Sequence, residues 1–278
     1  MQKMTGYFKN LFVDTWTNTE NLSLEYNASS HKKLINGVTI AILVYIAFGL
    51  SVVKYYGNTD TILMHVIYFQ PSAFGDWFCT FFYAPQIGEF HKKMFWICMI
   101  VLFYLIIPML ITKFGFKHRL RDYGLSFKNI HKDYPLYLLM MAVMLPIVYI
   151  ASSTASFQAR YPIFQPESGS LFPFFLWWQI AYFIQFVAVE FFFRGFILHG
   201  LKHRFGMYAI FISTIPYCMV HFGKPFGETI SAIFAGIILG TLSLKSRSIV
   251  LGVLIHYSVA ITMDLFALYR EGLLGAVN

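Results

Sequence analysis

The stretch "FFLWWQIAYFIQFVAVEFFFRGFIL", residues 174–198, decides the class of fold. It is longer than the roughly 20 mainly apolar residues that a helix needs to cross the hydrocarbon core of a bilayer. Inside it lie Glu190 and Arg194, which share one face of a helix because they are four residues apart. A charged side chain at the centre of a membrane costs at least about 2.5 kcal/mol on insertion scales. The pair therefore indicates either a functional site or a self-neutralising ion pair.

The whole chain has the composition of a polytopic membrane protein. Of its 278 residues, 58% are hydrophobic and 12% are charged, and the mean hydropathy is +0.60. A soluble domain carries about 25% charged residues. The net charge of +8 does not predict a nucleic-acid partner, because membrane proteins concentrate Lys and Arg in cytoplasmic loops. The 3 cysteines give no disulfide framework, and residues 1–30 lack the apolar core of a signal peptide.

Seven apolar segments indicate spanning helices, so the sequence predicts an all-α, polytopic transmembrane helical bundle. We expect about seven spans, or eight if region 55–89 also crosses; its apolar pieces are short and are interpreted as re-entrant or interfacial. The predicted domains are an N-terminal cytoplasmic or interfacial segment, 1–33, and a transmembrane domain, 34–278. The segments are Leu34–Val53, Met94–Thr112, Leu136–Ser153, Phe174–Leu198, Met207–Phe222, Ile230–Leu244 and Ile249–Tyr269.

Loop charge predicts the orientation of these helices. The loop 113–133 carries the strongest cluster of Lys and Arg, so it is expected in the cytoplasm. If region 55–89 does not cross, parity places the basic stretches 202–204 and 245–247 on the same side. The loops 154–173 and 221–227 then lie on the opposite side.

Two histidines lie in the later apolar segments and could act together with Glu190. His221 ends one segment and His256 lies inside the last. A carboxylate that takes a proton and an imidazole that orients or donates are sufficient to activate a water molecule. The same three residues, Glu190, His221 and His256, could instead bind zinc as a His₂Glu set with an open position. Glu228 and Asp264 follow the histidines by seven and eight residues and would lie near them on continuous helices.

A stripe of small residues predicts close packing of one helix. Ala232, Gly236 and Gly240 recur at four-residue spacing, which lets another helix approach closely. We interpret the stripe as a packing surface, which would bring the histidine-bearing segments together.

Three motifs in the second half of the chain resemble those of the CPBP family, which includes the type II CAAX prenyl endopeptidases and the bacterial ABI proteins. "EFFFRGFILHG", 190–200, is similar to the family's E-E-x-x-x-R signature, and Tyr217-x-x-x-His221 to its F-x-x-x-H motif. The stretch around His256 resembles a third region, in which His is followed four residues later by Asn or Asp. The resemblance covers residues 174–268.

The resemblance implies an intramembrane protease with a polar cavity open to the cytoplasm, in a bacterial inner (plasma) membrane. Its partners would be the lipid bilayer and a membrane-associated protein or peptide substrate. Glu190 and His221 would activate water, His256 would donate a hydrogen bond to the oxyanion, and Arg194 would orient Glu190. This mechanism requires no cofactor, with zinc as the alternative.

Two positions depart from the family pattern. The family's first Glu falls on Val189, and its Asn or Asp falls on Ala260. Losing a base removes roughly 10²–10⁴-fold in rate, and losing an oxyanion donor roughly a further 10²–10³-fold. Glu190 could itself be the base after a small helix rotation, or Glu228 or Asp264 could compensate.

Three functions stay open at this point. The first is an intramembrane endopeptidase that uses water activated by Glu and His. The second is a catalytically impaired CPBP relative that acts as a membrane binding or scaffold protein for a partner protein or lipid. The third is a transporter or proton relay along Glu190, His221 and His256. The absence of two matching halves disfavours the third.

Depth along the helices raises one difficulty for a common site. At about 1.5 Å per residue, Glu190 lies roughly 12 Å from a helix end at Leu198. His221 lies roughly 21 Å from Met207. We therefore expect the Met207–Phe222 helix to start deeper in the membrane or to bend at Pro216.

Overall fold

The computed structural model describes residues 2–29, 36–67, 73–85, 87–127, 133–165 and 173–273. Every regular element in these ranges is helical, which confirms the predicted all-α class. The predicted domain boundary at residue 33 lies outside the described residues.

Six helices in the described ranges are long and apolar enough to cross a membrane, which agrees with a polytopic bundle. Outside this set are α1 (residues 2–29), which precedes the six, and the shorter helices α3 (residues 59–67), α4 (Ala73–Phe82), α7 (Ala155–Gln158) and α9 (Tyr208–Met219). A short 3₁₀ turn covers Leu120–Tyr123. The six long helices are α2 (Gly37–Tyr56), α5 (Gly88–Gly115), α6 (Tyr134–Ala151), α8 (Phe174–Phe205), α10 (Phe226–Ser246) and α11 (Val250–Arg270).

The predicted spans differ from the observed helices at their ends, and two of these differences bear on the candidate site. The predicted span Met207–Phe222 is the 12-residue helix α9. It is shorter because the chain turns after Met219, with Gly223 at a φ of 89° ahead of Pro225. In contrast, α8 extends past the predicted end at Leu198 to Phe205. Region 55–89 contains the short helices α3 and α4, in keeping with its short apolar pieces.

The chain forms two compact units. The first contains Met1–Leu50, Tyr104–Tyr137 and Val189–Leu254, and the second contains Ser51–Phe103, Leu138–Ala188 and Ile255–Asn278. The long helices α8 and α11 contribute residues to both units.

Aromatic rings from α5 and α8 form much of the core of the first unit. Phe192 stacks on Tyr104 with ring centroids 4.5 Å apart, and Phe193 packs edge-on against Phe192. In the same unit, α9 packs on the small-residue stripe of α10. A Cβ on Gly236 would lie within 2.7 Å of Thr214, so the stripe is a helix-packing surface, as predicted.

The basic loops of the first unit lie together at one end of its helices. Lys245 Nζ is 2.7 Å from Asp133 Oδ1, and the backbone N–H of Ile249 donates to the carbonyl of Gly124. On α8, the carbonyl of Arg204 accepts hydrogen bonds from α1. The 245–249 turn therefore lies beside the 113–133 loop, which is the arrangement that the loop charges predicted.

The second unit has its own apolar core. Trp178 stacks on Tyr182 with centroids 4.8 Å apart along α8. A further buried cluster joins α6, α7 and α11 and consists of Val148, Phe157, Tyr161, Met263 and Ala267.

Candidate active site

Glu190 and Arg194 form a buried ion pair in the first unit. Arg194 Nη1 lies 3.1 Å from Glu190 Oε1. The exposed fractions of the two residues are 0% and 1%. Removing one partner of a buried pair leaves an uncompensated charge in a medium of low dielectric constant, which is strongly destabilising. Each side chain therefore stabilises the other inside the helix bundle.

The pair lies where α8 changes its winding. Residues up to Glu190 are α-helical, and the next nine residues, Phe191–His199, are π-helical and all buried. π-helical turns are rare and often occur at functional sites. The hydroxyl of Ser213 on α9 donates a 2.7 Å hydrogen bond to the carbonyl of Phe193 within this run. The sequence did not indicate the π-helix, because a continuously apolar stretch carries no pattern that fixes the number of residues per turn.

A glycine of α11 makes room for the carboxylate. A Cβ on Gly252 would lie 2.7 Å from Glu190 Oε2, closer than real Cβ contacts. The backbone of α11 therefore lies directly against Glu190. The sequence analysis missed Gly252, whose only signal is a small residue within the bulky run "IVLGVLI" of residues 249–255.

The Tyr217 ring lies against the guanidinium group of Arg194. Arg194 Cζ is 3.8 Å from the centroid of the Tyr217 ring, which is a cation–π contact. The Tyr217 ring is itself buried and packs edge-on against Phe193 at 5.3 Å. In the sequence this tyrosine was only a motif position; its contact with Arg194 depends on the packing of α9 on α8.

His221 lies one turn beyond Tyr217 and contacts it. The two ring centroids are 4.8 Å apart, and the ring planes meet at 63° in an edge-on arrangement. His221 Nδ1 lies 2.8 Å from the Tyr217 carbonyl oxygen. A carbonyl only accepts, so Nδ1 carries the proton and Nε2 is the acceptor in the neutral ring. Thus Glu190, Arg194, Tyr217 and His221 form a continuous series of contacts.

The longer α8 reduces the difference in depth. Measured from Phe205 instead of Leu198, Glu190 lies roughly 22 Å along the helix at an α-helical rise. The helix α9 ends at Met219, roughly 18 Å from Met207, so the two helical distances differ by less than the sequence analysis expected.

The possible substitute base Glu228 has a different neighbour. Its Oε1 lies 2.7 Å from Lys224 Nζ, and both side chains are partly exposed. Glu228 also occupies the first turn of α10, where an acidic side chain is favoured by the helix dipole. These contacts account for the residue structurally, and its catalytic role stays a prediction.

His256 and Asp264 belong to the second unit. The His256 ring lies 4.4 Å from that of Phe186. Asp264 is fully buried and accepts a hydrogen bond from the backbone N–H of Ile163. It also accepts from side chains of α8, namely Trp178 and Gln179. These bonds show Asp264 as a buried acceptor that joins α11 to α8; the catalytic roles of both residues stay predictions.

Metal binding has no evident donor set in the described ranges. They contain no group of three or more His, Cys, Asp or Glu side chains that could hold a metal ion. Zinc binding by Glu190, His221 and His256 stays a prediction, and metal analysis of the purified protein tests it.

Comparison with protein families gives a match in the second half of the chain. Residues 171–262, about a third of the chain, match the family described as "Type II CAAX prenyl endopeptidase Rce1-like". No curated protein and no solved structure matches the chain. The matched residues include the ion pair of α8, Tyr217 and both histidines. This match confirms the resemblance that the motifs indicated and supports the membership of this chain in the CPBP family.

Proposed function

We propose that the protein is an intramembrane endopeptidase of the plasma membrane that hydrolyses a peptide bond of a membrane-associated protein or peptide. The observation that carries this proposal is the buried Glu190–Arg194 pair of α8, linked through Tyr217 to His221. Ionisable residues inside membrane helices mark functional sites by default. The family that matches residues 171–262 is named for endopeptidase activity.

The proposed step is the attack of water on the scissile carbonyl. Glu190 takes one proton from the water, and Nε2 of His221 accepts a hydrogen bond from the other O–H. The water oxygen bonds to the carbonyl carbon, the C–N bond then breaks, and the proton on Glu190 passes to the leaving amine. Arg194 holds the carboxylate in place. The oxyanion-donor role of His256 stays a prediction of the family resemblance.

A second candidate function is binding without catalysis. Glu190 is 0% exposed and lies against the backbone at Gly252, so water reaches the carboxylate only if an element packed around it moves. Val189 and Ala260 also replace two polar positions of the family motifs. A catalytically impaired relative that binds a membrane partner would have these features.

A cleavage assay on membrane-tethered peptides tests the first candidate. We expect Glu190→Gln and His221→Gln to lower the cleavage rate by at least about 100-fold, the usual effect of losing a general base. The matched control is Glu228→Gln, which makes the same chemical change at a partly exposed ion pair. A Glu190→Gln variant as active as the natural protein would remove the site assignment.

The variant Val189→Glu separates the two candidates. It restores the acidic residue of the family signature next to Glu190. If the natural protein cleaves no peptide and Val189→Glu does, the natural site is catalytically impaired and the second candidate is supported. If the natural protein cleaves and loses activity in Glu190→Gln, the first candidate stands.

A further inference from the structure

A cavity lies in the first unit, away from the ion pair. It has a volume of about 600 Å³ and is bounded by the end of α1, the start of α2, the loop after α5 and the end of α8. On α8 its wall begins at His199, roughly 13 Å along the helix from Glu190. The cavity is therefore separate from the proposed catalytic residues.

The wall of this cavity is strongly basic. Its single acidic residue is Asp122, whose exposed carboxylate lies 3.8 Å from the neighbouring Arg121. The wall also carries three residues of the Lys and Arg type. With the histidines neutral, their three positive charges and the one negative charge of Asp122 give a net charge of +2. In the described part of the chain, none of the three has a carboxylate within 4.0 Å. The basic wall residues are Lys117, Arg119, Arg204, His118, His199 and His203.

Local structure sets the position of the basic loop. Lys117 has a φ of 58°, a left-handed conformation that is uncommon for a residue with a side chain. The chain reverses there, and the backbone N–H of His118 donates to the carbonyl of Thr112 in α5. The His118 ring is then held by Tyr123, with Nδ1 2.9 Å from the phenol oxygen. These contacts present Lys117 and Arg119 on the wall of the cavity.

Two side chains on the wall formed by α8, His199 and Arg204, are held by hydrogen bonds within the protein. His199 Nδ1 lies 2.9 Å from Lys202 Nζ, and an ammonium group only donates. The proton of the neutral His199 ring is therefore on Nε2, which donates to the Ser243 hydroxyl at 3.0 Å. Arg204 donates through Nη1 to the neutral amide oxygen of Asn27, so its positive charge is not neutralised.

We propose that this cavity binds a phosphate group. A phosphate supplies negative charge and several acceptor oxygens, which match Lys117, Arg119 and Arg204, and guanidinium groups bind such oxygens in a bidentate manner. The cavity lies at the ends of spanning helices, next to the basic loops, where anionic lipid headgroups are concentrated. The group is therefore either the headgroup of an anionic lipid or a soluble phosphate. This site does not depend on the proposed proteolysis.

The test measures the thermal unfolding of the full-length protein in phosphatidylcholine nanodiscs. One arm adds inorganic phosphate against chloride at equal ionic strength, and the other replaces part of the lipid with phosphatidylglycerol. The variant is Lys117→Gln/Arg119→Gln, and the matched control is Arg121→Gln, in the same loop but not on the cavity wall. The single variant Arg119→Gln serves if the double variant does not fold.

We expect phosphate or phosphatidylglycerol to raise the Tm. The double variant should bind at least about tenfold more weakly, because it loses two charge-assisted contacts. A response to inorganic phosphate identifies a soluble ligand, and a response to phosphatidylglycerol alone identifies a lipid. No response in either arm overturns the proposal. An equal loss in Arg121→Gln also overturns it, because the effect would then be general surface charge.

Discussion

At the scale of single residues, the position of Glu190 depends on Gly252, because glycine has no Cβ atom that would occupy the space of the carboxylate. We expect Gly252→Ala to lower the free energy of unfolding by about 1–3 kcal/mol, because the new Cβ would lie 2.7 Å from Glu190 Oε2 and must displace it. Denaturation of the purified protein in detergent measures this change. Gly227→Ala is the control, since a Cβ there meets nothing within 4 Å. Equal stability of the two variants would contradict the close contact.

The ion pair makes a second residue-scale prediction. Arg194→Met should destabilise the fold by about 3–5 kcal/mol, because it leaves the Glu190 carboxylate buried without its cation. The double variant Glu190→Gln/Arg194→Met should recover a large part of this loss. A double-mutant cycle of unfolding free energies measures the coupling. Purely additive effects would show that the 3.1 Å contact contributes nothing to stability.

The sequence could predict the Glu190–Arg194 contact but not the surroundings of the pair. Four-residue spacing on one helix is local information, and it brought the two side chains together as expected. The contacts with Gly252 and Tyr217 join separate helices, so no spacing along the chain encodes them. The same reason applies to Asp264, whose hydrogen-bond donors lie far away in the sequence.

At the scale of secondary structure elements, the contact between α9 and α10 is tight enough to be tested. Gly236→Ala should destabilise the protein by about 1–3 kcal/mol, because its Cβ would lie 2.7 Å from Thr214 Cγ2. Thr214→Ala removes that methyl group, so the double variant should be more stable than the sum of the single changes predicts. The coupling is expected at about 0.5–3 kcal/mol in unfolding measurements. Absence of coupling would argue that the two helices do not meet at Gly236.

Hydropathy predicted the element boundaries only in part. The start of α8 at Phe174, directly after Pro173, was predicted. Its end was not, because the Gly200–Phe205 turn is basic yet still helical, and hydropathy alone ended the span at Leu198. The shorter α9 likewise follows from the turn at Gly223 and Pro225, a local backbone effect that hydropathy does not register.

At the scale of the whole molecule, the helix lengths predict which loops share a side of the membrane. α10 ends beside the basic loop 113–133 and is 21 residues long, so its start lies roughly 30 Å away, across the hydrocarbon core. After Cys79, Cys98 and Cys218 are replaced by Ser, single cysteines at Arg121 and Phe222 should react with an impermeant maleimide from opposite sides. Vesicles of known orientation measure this labelling. Reaction of both from the same side would contradict the assigned topology.

The helical class and the grouping of basic loops at one end of the first unit were accessible from the sequence, because both rest on composition. Long apolar segments and clusters of Lys and Arg act through the bilayer, whatever the tertiary packing. The two compact units were not accessible, because each is assembled from three separate stretches of chain. The basic cavity was equally hidden, since its wall combines α1, α2, α8 and the loop after α5.

The π-helical run Phe191–His199 has a consequence for anyone who draws α8 as a helical wheel. An ideal wheel advances 100° per residue, and a wider turn breaks that regular advance. Projections drawn from the two ends of α8 will therefore be out of phase, and positions that appear lipid-facing in one will appear buried in the other. In a tryptophan scan along α8, substitutions that preserve stability should recur at a regular spacing, and this spacing should change at Phe191.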